Sequence, residues 1–183
     1  MTGVKSSLRC ALMMCASLLI ITACSSAQRS AVTTASSGPL ANVVVFAKQS
    51  QQHVSTPVRY AQTPPIGGEH APVWQNCGFY SSPIAPEQGV HSMEHGAVWI
   101  TYSPALPAAD TAKLKALART GKYILVSPFN GLPAPVVASA WARQLKLTGV
   151  DDPGLAAFVA AFEAGPQAPE PGASCTGGDG TPE

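Results

Sequence analysis

The chain has 183 residues and a formal net charge of +1, from 11 Lys or Arg against 10 Asp or Glu. That length suits one ordinary domain plus a targeting segment. The balanced charges offer no basic patch, so the composition argues against a nucleic-acid-binding function.

The N-terminus has the pattern of a bacterial lipoprotein signal peptide. Lys5 and Arg9 form a short basic region, and the apolar segment CALMMCASLLIITA is too short to span a bilayer comfortably. The small residues before Cys24 resemble a lipobox, in which the thiol is lipidated and becomes the first mature residue. We therefore predict a signal peptide over residues 1–23 and a lipid at Cys24 that anchors an exported protein to the membrane, facing outside the cytoplasm. An ordinary cleaved secretory signal is the alternative.

The next region changes from a tether to a long loop. Residues 24–40 are small and polar without apolar periodicity, which predicts a flexible tether. The β-branched run from Asn42 predicts a first strand. Residues 53–96 are rich in Pro and Gly and predict a long ordered loop, a kind of segment that is usually functional. All four histidines of the chain lie in it.

Regular elements follow the loop. The apolar run AVWITY, from Ala97, predicts a buried strand, and YILVS, from Tyr123, predicts another. Between them, Asp110 or Thr111 is placed to cap a helix that Gly121 would end. A strand–helix–strand order implies parallel pairing through a right-handed crossover.

The last part of the domain completes an α+β fold. Residues 136–147 predict one more strand, and Asp152 followed by Pro153 predicts the start of a second helix. Helix capping also explains Asp151 and Asp152 better than catalysis does. We therefore predict an α+β domain over residues 41–166, with a small sheet of three to four strands, a βαβ unit, two helices and the Pro/Gly-rich loop.

Export decides how the cysteines are interpreted. Two of the five leave with the signal peptide and Cys24 carries the lipid, so Cys77 and Cys175 remain in an oxidising compartment where pairing is the default. Their disulfide would tie the C-terminal tail, residues 167–183, back onto the domain. The alternative is that Cys77 ligates a metal together with the histidines.

The segment HSMEHG, which begins at His91, has the spacing of a shared metal site only if it is helical. In a strand, His91 and His95 would stand about 13 Å apart, at roughly 3.3 Å per residue. In a helical turn, residues four apart are neighbours. Gly96 is placed to end such a turn, so we predict a single turn from His91 to His95, with Glu94 as a ligand or an orienting partner.

The same letters also match H-x-x-E-H, a zinc-hydrolase signature in which Glu94 would act as general base toward a metal-bound water. That signature needs a substantial helix. Gly89 lies just before the segment and Gly96 just after it, so the sequence favours a single turn and argues against a hydrolase.

Confinement of the histidines favours coordination of copper or zinc, because imidazole suits both metals. We predict His70, His91 and His95 as ligands, with His53 and Glu94 as secondary candidates. In the competing interpretation the histidines bond buried loop backbone, and the protein is a metal-free envelope interaction or scaffold module. The sequence indicates no particular protein partner.

Two segments, PPIGGEHAPVWQNCGFY and VHSMEHGAVWITYSP, are similar to the DUF3105 family, a group of bacterial, often secreted or membrane-tethered proteins of unknown function. The resemblance runs from about His53 to Phe162 and is most specific over residues 64–104. It places five residues on the family's motif positions: His70, His91, Glu94, His95 and Gly96. Met93 stands where the family pattern has Leu, which argues against a thioether ligand specific for copper. The resemblance implies a shared site in this region without naming its chemistry.

Overall fold

The computed structural model describes residues 38–183. Along the chain the elements are β1 (Val44–Val45), β2 (Gly78–Phe79), α1 (Pro86–Glu94), β3 (Val98–Tyr102), α2 (Ala108–Leu117), β4 (Ile124–Pro128), β5 (Val136–Ala140), β6 (Arg143–Leu147) and α3 (Pro153–Phe162). The predicted signal peptide, the lipidation site Cys24 and most of the tether lie outside the described residues. Within the described range, no helix is both long and apolar enough to cross a membrane.

The strands form one mixed sheet of six, in the order β1-β6-β5-β3-β4-β2. Strands β2, β4 and β3 run parallel, and the other neighbours pair antiparallel. The α+β class is confirmed, but three to four strands and two helices were too few. Strands β1 and β2 have only two residues each, so neither carries enough periodicity to be bounded from sequence, and the predicted first strand from Asn42 shrinks to Val44–Val45.

The predicted βαβ unit is confirmed as β3–α2–β4, with Val98 opposite Ile124 in a parallel register. Helix α2 begins earlier than predicted, because the carbonyl of Pro107 accepts the first helical hydrogen bond, from Thr111 N at 3.0 Å. Asp110 and Thr111 therefore lie in the first turn and neither is the cap. The helix also ends at Leu117, before Gly121.

The single strand predicted over residues 136–147 is wrong, since a tight turn at Trp141 and Ala142 splits it into the hairpin β5–β6. Ala142 adopts a φ of 56°, a conformation that residues with a Cβ seldom take. Two backbone hydrogen bonds hold it there: its N–H donates to Ile66 at 2.7 Å, and its carbonyl accepts from Phe46 at 3.0 Å.

The sheet buries an apolar cluster on each face. Alternation along β3 sends Val98, Ile100 and Tyr102 into one cluster, with α2 and α3, and Trp99 into the other. The second cluster packs against α1 and contains Met93 and Trp141. Functional side chains on α1 are therefore held between this face of the sheet and the surface.

Helix α1 is the main correction to the predicted loop. Pro86 occupies its first turn, and the segment from Gly89 to Glu94 is buried. Gly89 allows close packing, because a Cβ there would come within 2.8 Å of the Trp99 ring. His95 caps the C-terminus and Gly96 follows with a φ of 106°, so the helix ends where the sequence predicted, but it spans nine residues instead of a single turn.

Candidate metal centre

Four side chains from two parts of the chain converge on one point. His53 and His70 are joined by a parallel β-bridge, with Val54 N donating to the His70 carbonyl at 2.7 Å. His91 and Glu94 lie one helical turn apart on α1. One ligand atom from each of His53, His70, His91 and Glu94 lies within 4.8 Å of the other three.

The centre is buried on one side and open on the other. His70 is 0% exposed, and the Trp141 ring packs edge-on against its imidazole, with ring centroids 5.8 Å apart. His91 and Glu94 are also buried. The His53 side chain is 48% exposed and stacks on His91, with ring centroids 4.8 Å apart. Solvent therefore reaches the donor group at His53.

Backbone carbonyls set the orientation of three imidazoles. The Nδ1 atoms of His70 and His91 each lie 2.7 Å from a carbonyl, of Gly68 and Ala71 respectively. His95 Nδ1 lies 2.6 Å from the carbonyl of Ser174. A carbonyl oxygen can only accept, so each Nδ1 must carry the proton and donate. In the neutral rings every Nε2 is then a lone-pair acceptor, the state required of a metal ligand.

As a consequence, two contacts place one hydrogen-bond acceptor directly against another. His70 Nε2 lies 2.9 Å from Glu94 Oε2, and His91 Nε2 lies 3.0 Å from His95 Nε2. Lone pairs at these distances repel unless a proton or a cation lies between them. Burial, reinforced by the neighbouring imidazoles, lowers the pKa of His91 from 6.5 to about 4, although the bond to the Ala71 carbonyl works in the other direction. An additional proton on His91 is thus disfavoured, and a metal ion would satisfy the same atoms.

The spacing of the four donors is close to that of a first coordination shell. Donors held about 2.1 Å from one ion lie at most about 4.2 Å apart. The observed spread of up to 4.8 Å requires only small side-chain rotations, for which exposed His53 has the most freedom. Three imidazoles and a carboxylate suit zinc, copper and related divalent ions, and no ion is identified.

The arrangement modifies the predicted ligand set. His53, which was a secondary candidate, and Glu94 belong to the group of four. His95, a primary candidate, stands outside that group and contacts it through His91. Met93 is fully buried in the apolar cluster with Trp99, so its thioether does not face the donors.

The C-terminal tail contributes contacts that sequence reasoning missed. Beyond the Ser174 carbonyl, Glu170 places Oε2 3.8 Å from His95 Nε2, and its N–H donates to the Glu94 carbonyl at 3.0 Å. The predicted disulfide between Cys77 and Cys175 is confirmed, with a Cα–Cα distance of 5.4 Å. Cys77 is therefore not a metal ligand. The disulfide was the one sequence signal that the tail would reach this region.

An indole covers the side of the centre nearest the tail. The Trp74 ring centroid lies 4.8 Å from that of His95 and 5.7 Å from that of His91. Gly178 makes room for it, because a Cβ at that position would collide with Trp74. Among the described residues, Trp74 Nε1 is the one buried side-chain polar atom without a hydrogen-bond partner.

The H-x-x-E-H segment lies on a longer helix than the sequence predicted, so the argument against a hydrolase from helix length was wrong. The position of Glu94 is more informative. Its Oε2 lies 2.9 Å from His70 and 3.5 Å from His53, within the donor group itself. A general base would stand beside a metal-bound water instead of taking a ligand position.

Comparison with known proteins identifies the family. The family model described as "Protein of unknown function (DUF3105)" matches residues 52–177, a span that includes all four histidines and both cysteines of the disulfide. No curated protein and no solved structure matches the chain. Because the family match covers well over half of the sequence, the chain belongs to the DUF3105 family.

Proposed function

We propose that this protein is a lipid-anchored, extracytoplasmic metal-binding protein that holds a copper or zinc ion through His53, His70, His91 and Glu94. The observation that carries the proposal is the convergence of Nε2 lone pairs. Carbonyls fix the Nδ1 protons of His70 and His91, so in the neutral rings Nε2 of His70 faces Glu94 Oε2 acceptor to acceptor, and Nε2 of His91 is a further acceptor in the same group. A divalent cation at their centre would replace that repulsion by coordination.

The donor set favours copper(II) over zinc(II) in affinity. At a generic site of nitrogen and oxygen ligands, copper(II) binds more tightly than its first-row neighbours. The three imidazoles are neutral as ligands and Glu94 carries one negative charge, so a bound divalent ion would leave one net positive charge in a largely buried site. The exposed edge at His53 would let solvent screen that charge.

A metal-free interaction module accounts for part of the same geometry. It predicts hydrogen bonds from the histidines to the loop backbone, and the carbonyl contacts of His70 and His91 fit that expectation. It gives no reason for the second nitrogen of each ring to face another acceptor. Ring centroids of His53, His70 and His91 lie within 5.0 Å of one another, the close clustering that coordination requires.

Calorimetric titration of the untagged full-length protein in detergent with copper(II) and zinc(II) tests the proposal. We expect one ion per chain, and no binding at this site in a His70→Ala/His91→Ala variant. Because that variant removes two buried side chains, His53→Ala serves as a second test: the exposed ring supports little packing, so the fold should persist while affinity falls at least about tenfold. Every variant has the same cysteines outside the disulfide, so any metal bound by their thiols contributes equally to each titration. Unchanged stoichiometry and affinity in both variants would overturn this ligand set, and absence of binding by the wild-type protein would favour the metal-free module.

Attachment to the membrane is tested separately. The pattern of Lys5, Arg9 and the lipobox-like residues before Cys24 supports lipidation. Expression in bacteria with a labelled fatty acid should give a labelled protein in the membrane fraction. A Cys24→Ser variant should lose the label, whereas the control Cys15→Ser should keep it, since Cys15 lies within the predicted signal peptide. Label retained in Cys24→Ser would contradict the anchor.

A further inference from the structure

We propose that His91, His95 and Glu170 form a second, outer metal position through which the ion reaches and leaves the inner donors His53, His70 and Glu94, with His91 shared by both positions. The inference rests on the proposed metal-binding function. It assigns a role to His95 and Glu170, which stand outside the group of four donors.

The outer position begins at the shared ligand. His95 Nε2 lies 3.0 Å from His91 Nε2, and its Nδ1 proton is held by the Ser174 carbonyl at 2.6 Å. The lone pair of His95 is therefore directed at the same nitrogen that belongs to the inner group. An ion bound to His91 can reach His95 without losing that ligand.

Glu170 extends the series of donors to the surface. Its Oε2 lies 3.8 Å from His95 Nε2, and its side chain is 59% exposed, against 6% for His95. The backbone of this part of the tail is fixed, because Glu170 N donates to Glu94 and Gly172 N donates to His95, at 3.0 and 3.1 Å. A carboxylate is thus held beside the buried imidazole while its oxygens remain free to meet an incoming cation.

The distances permit stepwise exchange of ligands. Two donors of one ion can be up to about 4.2 Å apart. The two steps, Glu170 to His95 and His95 to His91, measure 3.8 and 3.0 Å and both lie below that limit. An ion can therefore gain the next ligand before it loses the previous one, and never has to pass through the buried region without partners. This avoids the large cost of an uncompensated charge away from water.

Residues on an exchange route change the rates of metal loading and release more than the dissociation constant. An ordinary ligand of the resident ion changes the dissociation constant, so the two roles can be distinguished. The experiment uses full-length protein in detergent carrying one equivalent of copper(II). Rapid mixing with increasing EDTA gives the limiting rate of release, and mixing metal-free protein with copper(II) gives the rate of loading. Tryptophan fluorescence reports both, because Trp74 lies against His95 and copper(II) quenches nearby indoles.

We expect Glu170→Gln to slow loading and release by roughly tenfold each, with the dissociation constant changed less than about twofold. Asp151→Asn is the matched control, because its exposed carboxylate pairs with Lys113 away from the site, and it should leave both rates unchanged. Since Glu170 is exposed, its variant should fold normally.

Unchanged rates in Glu170→Gln would overturn the route. So would a weaker affinity with an unchanged loading rate, because Glu170 would then be an ordinary ligand of the resident ion. If the wild-type protein binds neither copper(II) nor zinc(II), the proposed function itself fails, an outcome distinct from the others.

Discussion

The Nε2 atom of His91 lies 3.0 Å from the Nε2 atom of His95, although Nδ1 of each ring already donates to a backbone carbonyl. The contact between His70 and Glu94 repeats the situation with a nitrogen and a carboxylate oxygen. A proton or a cation placed between the two acceptors would relieve such contacts, and burial disfavours the proton at His91. Protons and metal ions should therefore compete for the same atoms.

Metal binding is expected to weaken in acid. Burial lowers the pKa of His91 to about 4, so the ring is neutral at pH 7 and a proton competes with the ion for its Nε2 only as the pH approaches that value. We expect the dissociation constant for copper(II) or zinc(II) to rise at least about twofold between pH 7 and pH 4. Calorimetry at the two pH values measures that change. An affinity that is the same at both would contradict the proposed competition.

Glu94 should contribute to affinity as a ligand. Glu94→Gln replaces a charged donor by a weak neutral one of the same shape, and we expect the dissociation constant to rise at least about tenfold, measured by competition with a chelator of known affinity. Glu69→Gln is the control, since Glu69 is exposed one residue before His70. Full metal affinity in Glu94→Gln would argue against a ligand role and would favour the general-base alternative.

Local signals account for the parts of the fold that the sequence predicted well. Strand β3 is a continuous apolar run, and the Asp152–Pro153 start of α3 is a local capping pattern. The length of helix α1 was underestimated because the side chains that it buries include His91, Ser92 and Glu94, so no apolar stripe marks it.

The sequence predicted the kinds of residue in the candidate site but not which of them lie together in one group of donors. Confinement of four histidines to one segment pointed to a cluster, and helical spacing paired His91 with His95. The structure does bring those two rings together, with their Nε2 atoms 3.0 Å apart, and it also groups His91 with His53 through the bridge between His53 and His70. Glu170 lies far along the chain from His95, and only tertiary folding of the tail brings them together.

The disulfide should stabilise the fold and the outer position together. Cys77 and Cys175 are 98 residues apart in the sequence. A disulfide that closes a loop of that length restricts the unfolded chain and raises the free energy of unfolding by roughly 4–5 kcal/mol. Cys175 adjoins Ser174, whose carbonyl orients His95. A Cys77→Ser/Cys175→Ser variant should therefore unfold at lower denaturant and exchange its metal more slowly.

The inner donors do not lie on the tail, so the same variant should still bind one ion. Urea titration and the fluorescence exchange assay measure the two effects, each by comparison with the wild-type protein. A double variant with unchanged exchange rates would show that the tail does not position His95 for metal transfer.

Asp152 should behave as a helix cap whose contribution depends on pH. Its carboxylate accepts from Gly154 N at 2.9 Å and from Thr148 N at 3.1 Å, and these hydrogen bonds lower its pKa below 3.8. Since the folded pKa is the lower one, the stabilisation is present above pH 3.8 and is lost as the pH falls through the folded value. Asp152→Ala should cost about 1 kcal/mol at pH 7.

Urea unfolding at pH 7 and pH 3 measures this dependence. Asp152→Asn keeps an acceptor without the charge, so its difference from the wild type should shrink at pH 3. Metal affinity should be unaffected in both Asp152 variants, because capping of α3 is remote from the donors. Weaker metal binding in Asp152→Asn would contradict the assignment of this residue as a cap.

Gly96 should be essential for the junction that carries His95. It adopts a φ of 106°, and a Cβ there would come within 2.8 Å of the Ala164 backbone. Gly131 also has a positive φ, of 71°, but a Cβ there would meet nothing within 4 Å. Gly131→Ala should therefore show the conformational cost alone, about 1 kcal/mol. Gly96→Ala should lower the free energy of unfolding by more than Gly131→Ala does, because the Ala164 backbone must also move. That movement would strain the hydrogen bond of 2.8 Å from Ala164 N to Gly96 O. Urea unfolding compares the two losses, and equal losses would show that Ala164 yields without cost.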